Sequence, residues 1–396
     1  MNDYALKKIS PFYINIFKII TKPYISLIWK YKIKNKYKIP KGEQVLILSN
    51  HQTDLDPIFI YYHFNKPLYI VATDNIFKKG ITAKFLRGLG AIPKRKGLAD
   101  LNCVKEMNQV IKGGGNLLFF PEGNRSYAEF QYYIPDNIAK IVKNYKITLV
   151  LFNIVGGTGV FPRFAHKKRK GKIYGEIKEI ISKEQYLAMS DEELANKIKE
   201  TLKVYDSEKN NLYKSKQKAE YLERMLFVCP KCQKMNSLYS KGDYLHCHNC
   251  HLEVKFNENL TLQSKDQSFK FYKLVDWYNY QKDYLKNFDF SHQSTIFEDD
   301  NISLINANPY EDRNVLAKGK MILTNNELIF EGLHFNLKDI RVASPVGGTK
   351  LVFTVNDKSY MVKGHERFNP LKYVLIFNKL DTLMKEKNID KYYLLD

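Results

Sequence analysis

Val45-Leu46-Ile47-Leu48-Ser49-Asn50-His51-Gln52-Thr53-Asp54-Leu55-Asp56-Pro57 runs from four aliphatic residues into a polar segment ending on an Asp-Pro step. The aliphatic run reads as a buried strand. His51 and Asp56 then stand five positions apart. On one continuous helix that spacing would turn them about 140° from each other, so the chain must bend between them if they are to meet. Asp56-Pro57 has the form of a helix start, with Asp56 as N-cap and Pro57 as first helical residue. His51 then falls on a strand-to-helix loop, where an imidazole can move a proton near neutral pH and a carboxylate can orient it.

A second stretch has the same architecture. Asn116-Leu117-Leu118 reads as a strand, and it leads into Phe119-Phe120-Pro121-Glu122-Gly123-Asn124-Arg125-Ser126. Gly123 permits a tight turn. Arg125 offers a fork of donors that matches a phosphate. Glu122 can accept from a substrate hydroxyl or fix the arginine. Around these stretches apolar runs predict strands at 45–49, 68–73, 90–93, 116–120 and 147–154, and periodicity predicts helices at 56–64, 80–88, 99–112 and 135–145. Alternating strands and helices, with reactive groups at strand ends, describe an α/β fold. Cys103 reads as a buried thiol of the third of those helices. Gly156-Gly157-Thr158-Gly159 lacks the Lys-Ser/Thr ending of a nucleotide loop and reads as a turn lining the cleft. Ser190-Asp191-Glu192-Glu193 reads as a capping box.

Asn50-His51-x4-Asp56 together with Phe120-Pro121-Glu122-Gly123-x-Arg125-Ser126 resembles the glycerolipid acyltransferases, in particular the bacterial 1-acyl-sn-glycerol-3-phosphate acyltransferases, over about residues 10–205. Gly90-Ala91-Ile92-Pro93-Lys94-Arg95-Lys96 is similar to a further block of that family, with Lys-Arg-Lys where the family has Asp-Arg; either Arg95 or Lys96 then takes the phosphate-binding role. Thr148–Asn153 is similar to its apolar fourth block. The resemblance implies His51 as general base oriented by Asp56. It implies an acceptor site of Asn50, Arg95, Lys96, Glu122, Gly123, Arg125 and Ser126. The donor would be acyl-ACP or acyl-CoA. The acceptor would be the sn-2 hydroxyl of lysophosphatidic acid, or another lysophospholipid or a glycolipid. A non-enzymatic membrane or nucleic-acid adaptor is the remaining alternative.

Composition adds a strong positive field, 63 Lys+Arg against 42 Asp+Glu. Such a charge favours anionic partners. Residues Pro11–Lys30 are rich in aromatic and aliphatic side chains but broken by Asn15, Lys18, Lys22 and Pro23. Pro23 divides them into two short helices. Phe12, Ile16, Ile19 and Ile20 share a face, Trp29 and the tyrosines suit an interface, and lysines recur from 30 to 41. One reading is an interfacial hairpin backed by a polybasic strip; the other is a helix pair packed on the core. The first implies a phospholipid membrane surface as partner, no nucleic acid, and a peripheral or monotopic place on the cytoplasmic face of the membrane. His166-Lys167-Lys168-Arg169-Lys170 reads as phosphate ligands or as a solvated run.

Further on, Cys229-Pro230-Lys231-Cys232 and Cys247-His248-Asn249-Cys250 are separated by 14 residues. Two such knuckles read as a zinc ribbon with four thiolate ligands to one structural zinc; a redox pair or two disulfides are the alternatives. Residues 294–390 show strand patterns at 319–324, 327–331, 335–342, 350–355 and 358–363, a turn at Asn325-Asn326 and a closing helix from Asn369. That order resembles a pleckstrin-homology or GRAM-like module. The chain then divides into an interfacial segment 1–41, an acyltransferase core 42–205 with a mixed sheet flanked by helices, and a helical linker 206–226. A ribbon at 227–256, a packing extension at 257–293 and an α+β module at 294–396 complete it.

Overall fold

The computed structural model describes residues 9, 11–77, 81–94, 100–127, 129, 131–308 and 311–386. Arg95 and Lys96 lie outside these residues, as does most of the first ten. The chain forms two compact units. One takes the residues up to Pro162 with Lys170–Asn211; the other takes Arg163–Arg169 with everything from Leu212.

The first unit is built on seven strands: β1 (Tyr31–Ile33), β2 (Val45–Ser49), β3 (Leu68–Thr73), β4 (Ala91–Lys94), β5 (Asn116–Phe119), β6 (Thr148–Val155) and β7 (Ile173–Ile181). They join in the order β1-β7-β6-β2-β5-β3-β4. From β6 to β4 all pairs are parallel, whereas β7 opposes β6. This is the mixed α/β sheet expected. Its helices are α1 (Pro11–Pro23), α2 (Asp56–Tyr61), α3 (Ile81–Gly88), α4 (Leu101–Lys112), α5 (Ile138–Tyr145), the short turn α6 (Gly157–Val160), α7 (Lys183–Leu187) and α8 (Asp191–Leu202). All five residues of β2 are buried, because a central parallel strand is covered on both faces. Leu46 and Leu48 pack with Cys103 and Met107 of α4, Ile138 and Val142 of α5, and Ile198 of α8. Each such side chain contributes about 1.5–3 kcal/mol by leaving water. Ser190 caps α8 in the expected capping box.

The apolar face expected on α1 is open: Phe12, Ile16, Ile19 and Ile20 are exposed, and so are Leu27 and Ile28 past Pro23. After Pro23 the backbone widens into a π-type turn over Tyr24–Ile28. Trp29 departs from expectation. It is buried and meets Phe59 and Phe161 edge-on at 5.5 and 5.9 Å. Its indole packs against these rings instead of facing an interface. Among the described residues no helix is long and apolar enough to cross a membrane.

The second unit holds two antiparallel sheets. A small one comprises β8 (Leu238–Lys241), β9 (Tyr244–Cys247), β10 (Glu253–Phe256) and β11 (Leu262–Gln263), followed by α9 (Leu274–Asn287). The larger one comprises β12 (Phe297–Asn306), β13 (Val315–Leu323), β14 (Glu327–Phe330), β15 (Leu333–Asn336), β16 (Ile340–Val346), β17 (Lys350–Val355) and β18 (Lys358–Lys363), in the order β15-β14-β13-β12-β18-β17-β16. The terminal helix α10 (Pro370–Glu386) packs Tyr373, Ile376 and Phe377 into its core. Strands closed by one helix are the α+β arrangement expected, but there are seven strands where five were expected: β12 is additional, and the single strand expected over 335–342 is broken into β15 and β16 by a 3-10 turn at Leu337–Asp339. The linker helix expected over 206–226 does not form. That stretch has only 3-10 turns at Asp206–Lys209 and Leu222–Arg224, with Asn210 in the left-handed region. Leu222, Met225 and Leu226 are buried instead; their contacts outweigh the weak local helix preference of a polar stretch. Arg169, expected in a phosphate-binding or solvated run, is buried against the rings of Phe164 and Phe256.

Candidate active site

β2 and β5 are adjacent and parallel, with Leu48 opposite Phe119. Both polar stretches therefore leave the sheet at the same, C-terminal end of neighbouring strands about 4.8 Å apart. Hydrogen bonds to the main chain of His51 join them. Ser126 N donates to His51 O at 2.8 Å, and His51 N donates to Glu122 Oε1 at 3.1 Å.

The loop between His51 and α2 folds around the Asp56 carboxylate, which is fully buried. Its Oδ2 accepts from Gln52 N at 2.6 Å, Thr53 N at 2.9 Å and His51 Nδ1 at 2.9 Å. Its Oδ1 accepts from the Thr53 hydroxyl at 2.6 Å. Asp56 is thus not the N-cap expected. Leu55 takes that position, and Asp56 is the first residue of α2 with its side chain turned back onto the loop. Four donors leave the carboxylate acting only as an acceptor. In the neutral ring, Nδ1 therefore carries the proton and Nε2 keeps the lone pair. The ring stacks on Phe120, centroids 4.1 Å apart and planes 20° apart, and remains one-fifth exposed. Nε2 takes no hydrogen bond from any described residue.

Asn50 and Glu122 are occupied by main chain. Asn50 donates to Ile154 O at 2.9 Å and accepts from Ile154 N at 2.8 Å, fastening the end of β2 to the end of β6. The second oxygen of Glu122 accepts from Tyr132 N at 2.9 Å. Burial pushes the Glu122 carboxyl up to about 8, against the lowering effect of these two N–H groups. Gly123 has φ +65°, a value glycine adopts freely in a turn. Arg125 Nη1 lies 2.9 Å from Asp54 Oδ2, an exposed carboxylate. Asp54 was not read from the sequence as a site residue, although it stands midway between His51 and Asp56. The same holds for Thr53, Phe120 and Asp206. The Gly156–Gly159 segment, expected to line the cleft, is buried.

The four cysteines of the second unit also converge. Their sulfurs lie within 4.8 Å of one another, with Cys229–Cys250 at 3.5 Å and Cys232–Cys247 at 3.7 Å. A disulfide needs about 2.05 Å. A tetrahedron with metal–sulfur bonds of about 2.3 Å has edges near 3.8 Å. Cys229, Cys232, Cys247 and Cys250 can therefore hold one metal ion.

Residues 30–154 match the model of the family described as Acyltransferase. Among curated proteins the chain is 30% identical over 89 residues to a 1-acyl-sn-glycerol-3-phosphate acyltransferase of Chlamydomonas reinhardtii, covering 22% of this chain and 26% of that one. It is 27% identical over 101 residues to the chloroplastic 1-acyl-sn-glycerol-3-phosphate acyltransferase LPAT1 of Arabidopsis thaliana, covering 25% and 28%. The chain thus spans about a quarter of the length of each of these relatives. A crystal structure of the 1-acyl-sn-glycerophosphate acyltransferase PlsC from Thermotoga maritima aligns with TM-score 0.40 at 20% identity, over 48% of this chain and 78% of that one.

Proposed function

We propose that the chain transfers a fatty acyl group from acyl-ACP or acyl-CoA to the sn-2 hydroxyl of lysophosphatidic acid, forming phosphatidic acid. The observation that carries this reading is the bond from His51 Nδ1 to the buried Asp56, which leaves an unprotonated Nε2 on a partly exposed ring, in a loop whose Asp54 pairs with Arg125. The acceptor named for the two curated relatives supports this choice. Nε2 takes the hydroxyl proton as the oxygen forms a bond to the thioester carbonyl carbon. The tetrahedral adduct then breaks its C–S bond, and the imidazolium returns the proton to the leaving thiolate. Asp56 stabilises the imidazolium between these steps. General-base catalysis contributes about 10²–10⁴-fold. Arg125 pairs with Asp54 in the free protein; the acceptor phosphate, with more charge and a matching fork geometry, competes for it. Arg95 or Lys96 would complete that clamp, while Glu122, Gly123, Asn50 and Ser126 shape the loop beneath it.

The open row of Phe12, Ile16, Ile19, Ile20, Leu27 and Ile28 supports docking on a phospholipid surface, where the acceptor resides. That surface would be the cytoplasmic face of the membrane. The sulfur spacing supports one structural zinc on the four cysteines.

The experiment is an acceptor panel: purified protein, a radiolabelled acyl thioester of ACP or CoA, and vesicles carrying lysophosphatidic acid, other lysophospholipids or glycolipids. Label is expected in phosphatidic acid. Transfer confined to acceptors without a glycerol phosphate would reassign the substrate, and no transfer to any acceptor would remove the reading.

A further inference from the structure

The two reactive loops are held from a place outside the segment that matches the family. Asp206 and Ser207 follow α8, more than fifty residues past that segment. Asp206 is fully buried. Its Oδ1 accepts from Gly156 N at 2.7 Å; its Oδ2 accepts from the Thr158 hydroxyl at 2.5 Å and from Gly159 N at 3.3 Å. These bonds fix the turn at α6. Gly157 N of that turn donates to Gln52 Oε1 at 2.7 Å, and Gln52 Nε2 reaches back to Asp206 Oδ1 at 3.4 Å. The main-chain N–H of the same Gln52 donates to Asp56 at 2.6 Å, as short as the Thr53 hydroxyl bond. There is no spare room in this path: a Cβ on Gly157 would stand 2.6 Å from Gln52 Oε1 and 3.0 Å from the Thr53 methyl. Ser207 faces the other loop. Its N–H and hydroxyl donate to the two oxygens of Glu129, itself buried, four residues past Arg125.

We propose that Asp206 and Ser207 act as a clasp for the site. Asp206 is a positioning residue for the His51–Asp56 pair, acting through the Gly156–Gly159 turn and Gln52. Ser207 is a positioning residue for the Arg125 loop, acting through Glu129. This inference rests on the proposed acyl transfer. It adds that adjacent residues of one short segment govern two separable quantities, the alignment of the base and the capture of the anionic headgroup. A buried carboxylate with four donors suits this task, because charge-assisted bonds out of water keep a turn rigid.

The test uses the full chain with Asp206→Asn, Gly157→Ala and Ser207→Ala. Misplacing a reacting group by about 1 Å costs on the order of 10²-fold. Asp206→Asn and Gly157→Ala are therefore expected to lower kcat by roughly ten- to a hundredfold, with the acceptor KM within about twofold of the parent. Ser207→Ala is expected to raise the acceptor KM and leave kcat within about twofold. Thr158→Ser, which keeps the hydroxyl, should retain the parent rate, whereas Thr158→Val should follow Asp206→Asn. Thermal unfolding of each variant separates these effects from loss of fold. A readout independent of turnover is the His51 Nδ1 proton resonance, which should move upfield or exchange away in Asp206→Asn and Gly157→Ala. Folded variants with parent kcat and an unmoved resonance would overturn the clasp, as would kcat and KM changing in parallel across all three. If the parent protein transfers no acyl group, the proposed function falls, while the resonance still decides whether Asp206 holds the histidine.

Discussion

The loop at His51 and the knuckles at Cys229–Cys250 are both dense polar clusters, yet they end in opposite states. Around Asp56 four donors turn inward, and His51 Nε2 is left without a partner among the described residues on a partly exposed ring. Around the cysteines all four sulfurs face one another and nothing is left over. An open valence on a rigid mount is what proton transfer requires, and a closed tetrahedral set is what a structural metal requires. On the proposed reading, the chain uses clustered polar groups once to present a reactive atom and once to hold a metal.

The sharpest break in this contrast comes from removing the reactive ring. His51→Ala is expected to lower kcat by about 10²–10⁴-fold while the unfolding temperature stays near that of the parent; turnover near the parent level would show that the open valence is not used. The converse follows for the cysteines. Metal analysis is expected to return about one zinc per chain, and Cys229→Ser or a strong chelator should unfold the ribbon, since structural zinc contributes folding energy directly. A fully folded, metal-free protein with four titratable thiols would refute the closed set. Arg125→Lys retains the charge but loses the fork, and should raise the acceptor KM by about tenfold with a smaller change in kcat.

The finest test concerns Glu122, which joins the two loops. Its folded carboxyl titrates at about 8, above its ordinary 4.5, because it is buried. Between those values the folded chain retains a proton that the unfolded chain has released, so stability falls as pH rises through the window. Urea midpoints are expected to drop from pH 5 to pH 8.5, and Glu122→Gln should flatten the slope. A midpoint that rises with pH in the parent and not in the variant would reverse this assignment.

The strands were legible where a run of aliphatic and aromatic residues carries no charge. Val45–Ser49 and Leu68–Thr73 match their predicted bounds, and Thr148–Val155 is displaced by one residue. β7 and β12 escaped, since Glu176, Lys178 and Glu179 in one and Glu298-Asp299-Asp300-Asn301 in the other place charge where a strand pattern is sought. The site was legible to the extent that chemistry sits on short motifs: His51, Asp56, Glu122 and Arg125 stand out by residue type. Their partners did not. Asp54 meets Arg125 across 71 residues, and Asp206 meets Gln52 across 154.

The chain by itself determined which residues can carry a proton, grip a phosphate or bind a metal, because those capacities belong to side-chain chemistry and to spacing within a few residues. Tertiary structure decided which tautomer His51 adopts, that the Glu122 carboxylate holds the main chain of the His51 loop, and that Asp206 stands behind that loop. Hydrogen bonding and desolvation depend on neighbours brought together by the sheet order, and no local stretch of sequence records them.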